Sequence, residues 1–95
     1  MSIKIKDIPA EERPRERLIK YGVESLNNEE LLSILIGNGT KGKSAKDLSL
    51  MILNKIKEID NNDLLNYQFL SAIKGLGIAK TCTILAAVEF GKRMN

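Results

Sequence analysis

A chain of 95 residues with 43% hydrophobic and 28% charged side chains can bury one modest core and forms a single domain. It has no histidine and one cysteine, Cys82, which excludes a histidine-based or zinc metal site, an internal disulfide, and catalysis of the Ser-His-Asp or Cys-His kind. The net charge is only +3, the first 17 residues are too charged for a secretion signal, and no apolar run reaches the ~18 residues that cross a bilayer. A soluble, cytoplasmic protein with no membrane partner and no cofactor is expected.

Residues 1–12 open with Ile3-Lys4-Ile5-Lys6, which alternates like a strand but has no partner strand, and read as an extended arm. Pro14 suits the first turn of a helix, Leu18, Ile19 and Tyr21 follow, and Gly22 stops it, predicting a helix over 14–21. Asn27 with Glu30 three residues on forms a capping box before the apolar face Leu31, Leu32, Leu35 and Ile36, predicting a helix over 28–36. The segment Gly37-Asn38-Gly39-Thr40-Lys41-Gly42-Lys43 is too glycine-rich for regular structure. Ser44 then caps a helix over 45–58 with the stripe Leu48, Ile52, Ile56 and Ile59.

Asp60-Asn61-Asn62 is a turn, residues 63–65 form a short helical piece, and Asn66 caps a helix over 67–73. Gly75-Leu76-Gly77 is a tight turn before a last helix over 78–93. Its middle, Ile84-Leu85-Ala86-Ala87-Val88, is apolar on nearly every side, so this helix is expected to lie deepest. The fold class is all-α, a five-helix bundle in one domain, residues 1–95.

The bundle contains a repeat. Leu35-Ile36-Gly37-Asn38-Gly39 and Ile73-Lys74-Gly75-Leu76-Gly77 share a helix followed by Gly-x-Gly, and Ala45-Lys46 matches Ala79-Lys80 before a long helix. Two helix-hairpin-helix-like units, the first with a longer turn, are the economical reading. The second unit resembles the helix-hairpin-helix motif of nonspecific DNA-binding proteins at Ile73, Gly75, Leu76, Gly77 and Cys82. Glycines there permit conformations barred to other residues and a close approach of phosphate, Leu76 pins the turn to the core, and the amides opening the last helix face outward as an anion site. Cys82 is expected to fill a tight helix–helix contact as a small apolar group.

Charge is unevenly spread. The surplus lies in residues 37–58 and 74–95, at +3 each, and both blocks open at a glycine-rich turn. A solvated surface explains such blocks as well as a phosphate footprint does. Lys80 is the sharper clue, because the first turn of a helix ordinarily favours acids, and the last helix has none before Glu89. Residues 37–44, GNGTKGKS, also fit the phosphate-loop pattern, with Lys43 on the phosphates and Ser44 on magnesium. That pattern needs a parallel sheet, and the capping box at Asn27 places a helix where the strand would be.

Taken together, Arg13-Pro14-Arg15-Glu16-Arg17-Leu18, Leu26 with Glu30-Leu31-Leu32, Gly39-Thr40-Lys41-Gly42-Lys43-Ser44, Ala72-Ile73-Lys74-Gly75-Leu76-Gly77 with Ala79-Lys80, and Glu89-Phe90-Gly91-Lys92-Arg93 resemble the N-terminal region of the bacterial RadC-like proteins. The resemblance implies a helix-hairpin-helix domain associated with DNA repair or recombination. It also implies a C-terminal JAB/MPN metalloprotease-like domain, whose metal motif needs histidines. This chain has none, so it looks like a fragment or a natural short form and is not expected to be an enzyme.

The expected function is binding of nucleic acid, DNA above all, without sequence preference, its phosphate backbone held at the two hairpin turns and the helix N-termini that follow them. The candidate residues are Lys74, Gly75, Leu76, Gly77, Ala79 and Lys80 in the second unit and Gly39, Lys41, Lys43, Ser44 and Lys46 in the first. The alternative is a module that docks a protein or a neighbouring domain, which an exposed apolar patch without a basic face would favour.

Overall fold

The computed structural model describes residues 13–61 and 64–95. They form five α-helices: α1 (Pro14–Tyr21), α2 (Asn28–Ile36), α3 (Ala45–Ile56), α4 (Tyr67–Ser71) and α5 (Ile78–Arg93), with a 3₁₀ turn at Val23–Ser25. No strand occurs among the described residues, and none of their helices is long and apolar enough to cross a membrane. The extended arm expected over residues 1–12, and Asp63 of the short helical piece, lie outside the described residues.

Local signals set most boundaries. Pro14 opens α1, the Asn27 side chain accepts from the Glu30 amide, and Glu30 returns a carboxylate oxygen to the Asn27 amide. Ser44 and Asp47 build a second such box on α3, and Asn66 caps α4 by accepting from the Phe69 amide. α3 and α4 each stop two residues earlier than their sequences suggest. Glu58 donates to Lys55 and Ile59 to Ile56, while Ile73 donates to Leu70 and Leu76 to Ile73, so both ladders tighten to i→i−3 bonds as the chain turns away.

One core joins all but α1. Ile36, Ala45, Leu48, Ile52, Leu70, Ile73, Leu76 and Ile84 are buried together. α2 and α3 pack most extensively, and the buried pair Ser33 and Ser49 lets them approach closely. Ser49 Oγ donates to the Ala45 carbonyl at 2.8 Å, so across the 3.1 Å Oγ···Oγ contact it is Ser33 that donates. α1 is held from outside: Arg17 pairs with Glu30 and donates to the Ser25 carbonyl at 2.9 Å.

Two expectations about α5 are corrected. The deepest helix is α3, which buries Ala45, Leu48, Ser49 and Ile52, whereas α5 buries only Thr81 and Ile84. At 16 residues α5 is about 24 Å long, against about 8 Å for the five-residue α4, so its far half outruns its neighbours. Val88, Phe90 and Met94 are exposed there. Cys82 is exposed too, and the small residue that is fully buried is its neighbour Thr81, at the fourth helical position after the Gly77 cap.

The repeat is also out of phase by one residue. The caps Ser44 and Gly77 are the equivalent positions, so Ala45 is the first residue of α3 but Ala79 the second of α5. One residue is a 100° rotation, and the two matched lysines therefore face different surroundings. Lys46 lies 3.8 Å from a carboxylate oxygen of Glu29 in the first turn of α2, whereas Lys80 reaches the Ile36 carbonyl at the other end of that helix.

Candidate nucleic-acid interface

The two hairpin turns touch. Gly75 has φ +95°, and a Cβ there would lie 3.2 Å from Leu48 Cδ2 and Lys43 Cδ and 3.3 Å from Thr40 Oγ1. The backbone calls for glycine at this position, and a Cβ would also press on three side chains of the first unit. Leu76 turns inward, only 4% exposed, and anchors the second turn in the core. Lys74 is exposed at its edge.

Gly77 differs from its expected role. Its φ of −73° and ψ of 177° are open to any residue, and an added Cβ would meet nothing within 4 Å. Strain therefore does not explain this glycine. As an N-cap it offers no side-chain acceptor, and the first turn of α5 holds no acid. Thr81 donates to the Gly77 carbonyl, but the amides of Ile78, Ala79 and Lys80 find no acceptor among the described residues. Gly77, Ile78 and Ala79 are exposed. The result is an uncapped, outward-facing helix N-terminus of 16-residue α5.

Lys80 is half-buried, and its Nζ donates to the Ile36 carbonyl at 3.4 Å. It thereby sits at the C-terminal end of α2, where a cation is favoured, and ties the two units together beside the open amides. In the first turn, Thr40 and Lys43 exchange backbone hydrogen bonds of 2.9 and 3.0 Å. A Cβ on Gly39 would overlap the Lys43 carbonyl oxygen and lie 2.8 Å from Ser44 Cα, so the fold-back itself demands glycine. Lys41 is exposed at the tip and Lys43 lies along Gly75.

Ser44 leaves the candidate site. It is buried, its hydroxyl accepts from the Asp47 amide at 3.0 Å, and its own amide donates to the Asp47 carboxylate at 3.0 Å. An acid already occupies the start of α3, so the two helix N-termini expected to hold phosphate reduce to one. Lys46, beside Glu29, is likewise drawn off the surface formed by the turns. The phosphate-loop pattern fails on the same ground: α2 precedes it, not a strand, and the Ser44 hydroxyl is spent on capping.

The structure thus brings Gly39, Lys41, Lys43, Lys74, Gly75, Gly77, Ala79 and Lys80 to one end of the bundle, with Leu76 beneath. Sequence reasoning missed a neighbouring feature. A cleft of about 240 Å³ lies between the start of α1 and the end of α2, lined by Arg13, Pro14, Arg15, Glu16, Ser33, Ile34, Gly37 and Asn38. The arginine-rich start of α1 was the available signal. Among the described residues no group of acidic or cysteine side chains could hold a metal ion.

A family model described as UPF0758 N-terminal matches residues 5–82. Similar proteins include a UPF0758 protein of Alkaliphilus metalliredigens, 49% identical over 96% of this chain and 40% of its own length. The UPF0758 protein YsxA of Bacillus subtilis is 44% identical over the whole of this chain and 41% of its own. One of Microcystis aeruginosa is 50% identical over 97% and 41%. No solved structure matches. The chain spans about 40% of the length of these relatives. A match over most of its residues to the N-terminal model, together with relatives this similar, shows that the chain belongs to the UPF0758 family, the RadC-like family.

Proposed function

We propose that this domain binds the phosphate backbone of DNA without reading sequence, as the binding module of a cytoplasmic protein associated with DNA repair or recombination. The observation that carries the reading is the open start of α5. Three amides without acceptors face outward from a cap that has no side chain, in a first turn that has no acid. Lys74 and Lys80 flank them, and Lys43 and Lys41 reach the same end through the contact of the two turns. Amides and a helix dipole hold one phosphate, and the lysines follow the charge of its neighbours as point charges. The proposed role is binding and not catalysis. Hydrolase chemistry of the JAB/MPN kind would belong to a separate domain of the longer relatives.

The test is fluorescence anisotropy with labelled duplex and single strand across a salt series. Affinity should fall steeply and linearly with salt on logarithmic axes, equally for unrelated sequences. Lys80→Glu with Gly77→Val should abolish it. No binding of either probe at low salt refutes the reading.

A second reading is favoured by one observation, the far half of α5. Phe90 is 65% and Met94 70% exposed, at the end of the helix opposite to Gly77. Such a surface suits docking of a neighbouring domain or protein, and it leaves the start of α5 free for nucleic acid. Reduced hydrogen exchange at Phe90 in a two-domain relative, compared with the isolated N-terminal region, would support it.

A further inference from the structure

Three of the four arginines of the chain stand at Arg13, Arg15 and Arg17, whereas every cation of the hairpin turns is lysine. The two kinds of cation are not interchangeable. Lysine is a mobile point charge, while the planar fork of arginine matches two oxygens of one phosphate. Arg17 is accounted for by its pair with Glu30 and its bond to the Ser25 carbonyl, which fasten α1 to α2. That fastening sets Arg13 and Arg15 on the wall of the 240 Å³ cleft, opposite Gly37 and Asn38.

We propose that this cleft is a subsite for a phosphomonoester, carried by the end of a nucleic-acid strand or by a free mononucleotide. Arg15 is exposed and forms no ion pair among the described residues, so its fork is available. Arg13, half-buried at the N-cap and already engaged in an interaction of its own, lines the same wall. The amides of Arg15 and Glu16 find no acceptor among the described residues, and Pro14 brings no amide to the set. Pro14 and Ile34 give the cleft an apolar side for a sugar or base, and the Asn38 side chain can donate or accept. Size restricts the occupant. Sites for drug-sized ligands run from about 300 to 1,000 Å³, so a cleft of about 240 Å³ has room for one phosphate with part of its nucleoside, the rest lying in solvent.

The cleft and the hairpin surface share the end of α2. Its Ile36 carbonyl accepts from Lys80, and the next two residues, Gly37 and Asn38, line the cleft. A strand crossing the turns would thus run toward the cleft. The subsite stands on its own geometry, and only the strand end as the source of the phosphate rests on the proposed backbone binding.

The experiment is an amide NMR titration of the domain with deoxyadenosine 5′-monophosphate, and with deoxyadenosine as the control without phosphate. Strand ends are compared by anisotropy on single strands carrying a 5′-phosphate, a 3′-phosphate or neither. The monophosphate should shift Arg15, Glu16, Gly37 and Asn38 saturably, and the nucleoside should not. Arg15→Gln should weaken the monophosphate about tenfold, the loss of one bidentate contact, without lowering the melting temperature. A phosphorylated strand binding tighter than the bare one at either end assigns the source to that end. A response to the monophosphate alone assigns it to the free nucleotide. Equal shifts with monophosphate and nucleoside, or an Arg15→Gln variant that binds as well as the parent, overturns the proposal. A Gly77→Asp variant separates the two ideas, because it should lose duplex binding and keep the monophosphate response.

Discussion

Gly77→Asp sets stability against binding. The backbone at Gly77, φ −73° and ψ 177°, nearly coincides with that of Ser44, φ −76° and ψ 167°, and Ser44 does cap its helix. An added side chain at Gly77 meets nothing within 4 Å. Aspartate there would accept from the amide of Ala79 or Lys80, replacing a glycine cap for a few tenths of a kcal/mol. Its charge at the helix N-terminus adds about 0.3–1 kcal/mol. The expected gain is about 1 kcal/mol, or about 4–8 °C in melting temperature for a domain of this size. The same substitution fills the proposed phosphate site with a carboxylate. Losing a charge-assisted contact worth about 1.5–3 kcal/mol should weaken DNA about 10- to 150-fold. Thermal unfolding by circular dichroism and anisotropy at low salt measure the two effects on one sample. A stabilised variant that binds DNA as tightly as the parent refutes the role of these amides. A variant with a lowered melting temperature refutes the capping geometry from which the role is argued.

Three other substitutions probe the frame. Gly75→Ala forces a side chain into φ +95° and against Leu48 and Lys43, and should cost about 1–2 kcal/mol in urea denaturation; an unchanged midpoint would mean that the two turns do not pack together. Arg17→Ala removes two hydrogen bonds but leaves the Asn27–Glu30 capping box, since Glu30 uses its other oxygen there. It should cost about 1–2 kcal/mol and raise hydrogen exchange in α1 before α3. Thr81→Val replaces a buried hydroxyl that has no hydrogen-bond partner among the described residues with a methyl of similar shape, and should stabilise by about 1 kcal/mol. A loss of stability would show that the hydroxyl finds a partner in solution.

What the amino-acid sequence determined by itself was the order and type of the helices, every helix start, and the ends of α1, α2 and α5. Pro14, the capping residues Asn27, Ser44 and Asn66, and the glycines at 22 and 37 act over three or four residues, so their effect needs no knowledge of the rest of the chain. The inward turn of Leu76 was legible for the same reason, as the one large apolar residue between two glycines. What only the tertiary structure decided was which face of each helix meets which neighbour. A shift of one residue in the start of α5 exchanged Cys82 for Thr81 at the core and separated the surroundings of Lys46 and Lys80. The short α4 left the apolar far half of α5 uncovered, although its sequence reads as that of a buried helix. Ser44 turned to its own helix because Asp47 stands three residues on, and Arg13 and Arg15 became the wall of a cleft only once α1 was fastened to α2. Each of these depends on helical phase and on the lengths of neighbouring elements, which pair residues far apart in the chain and leave no local mark.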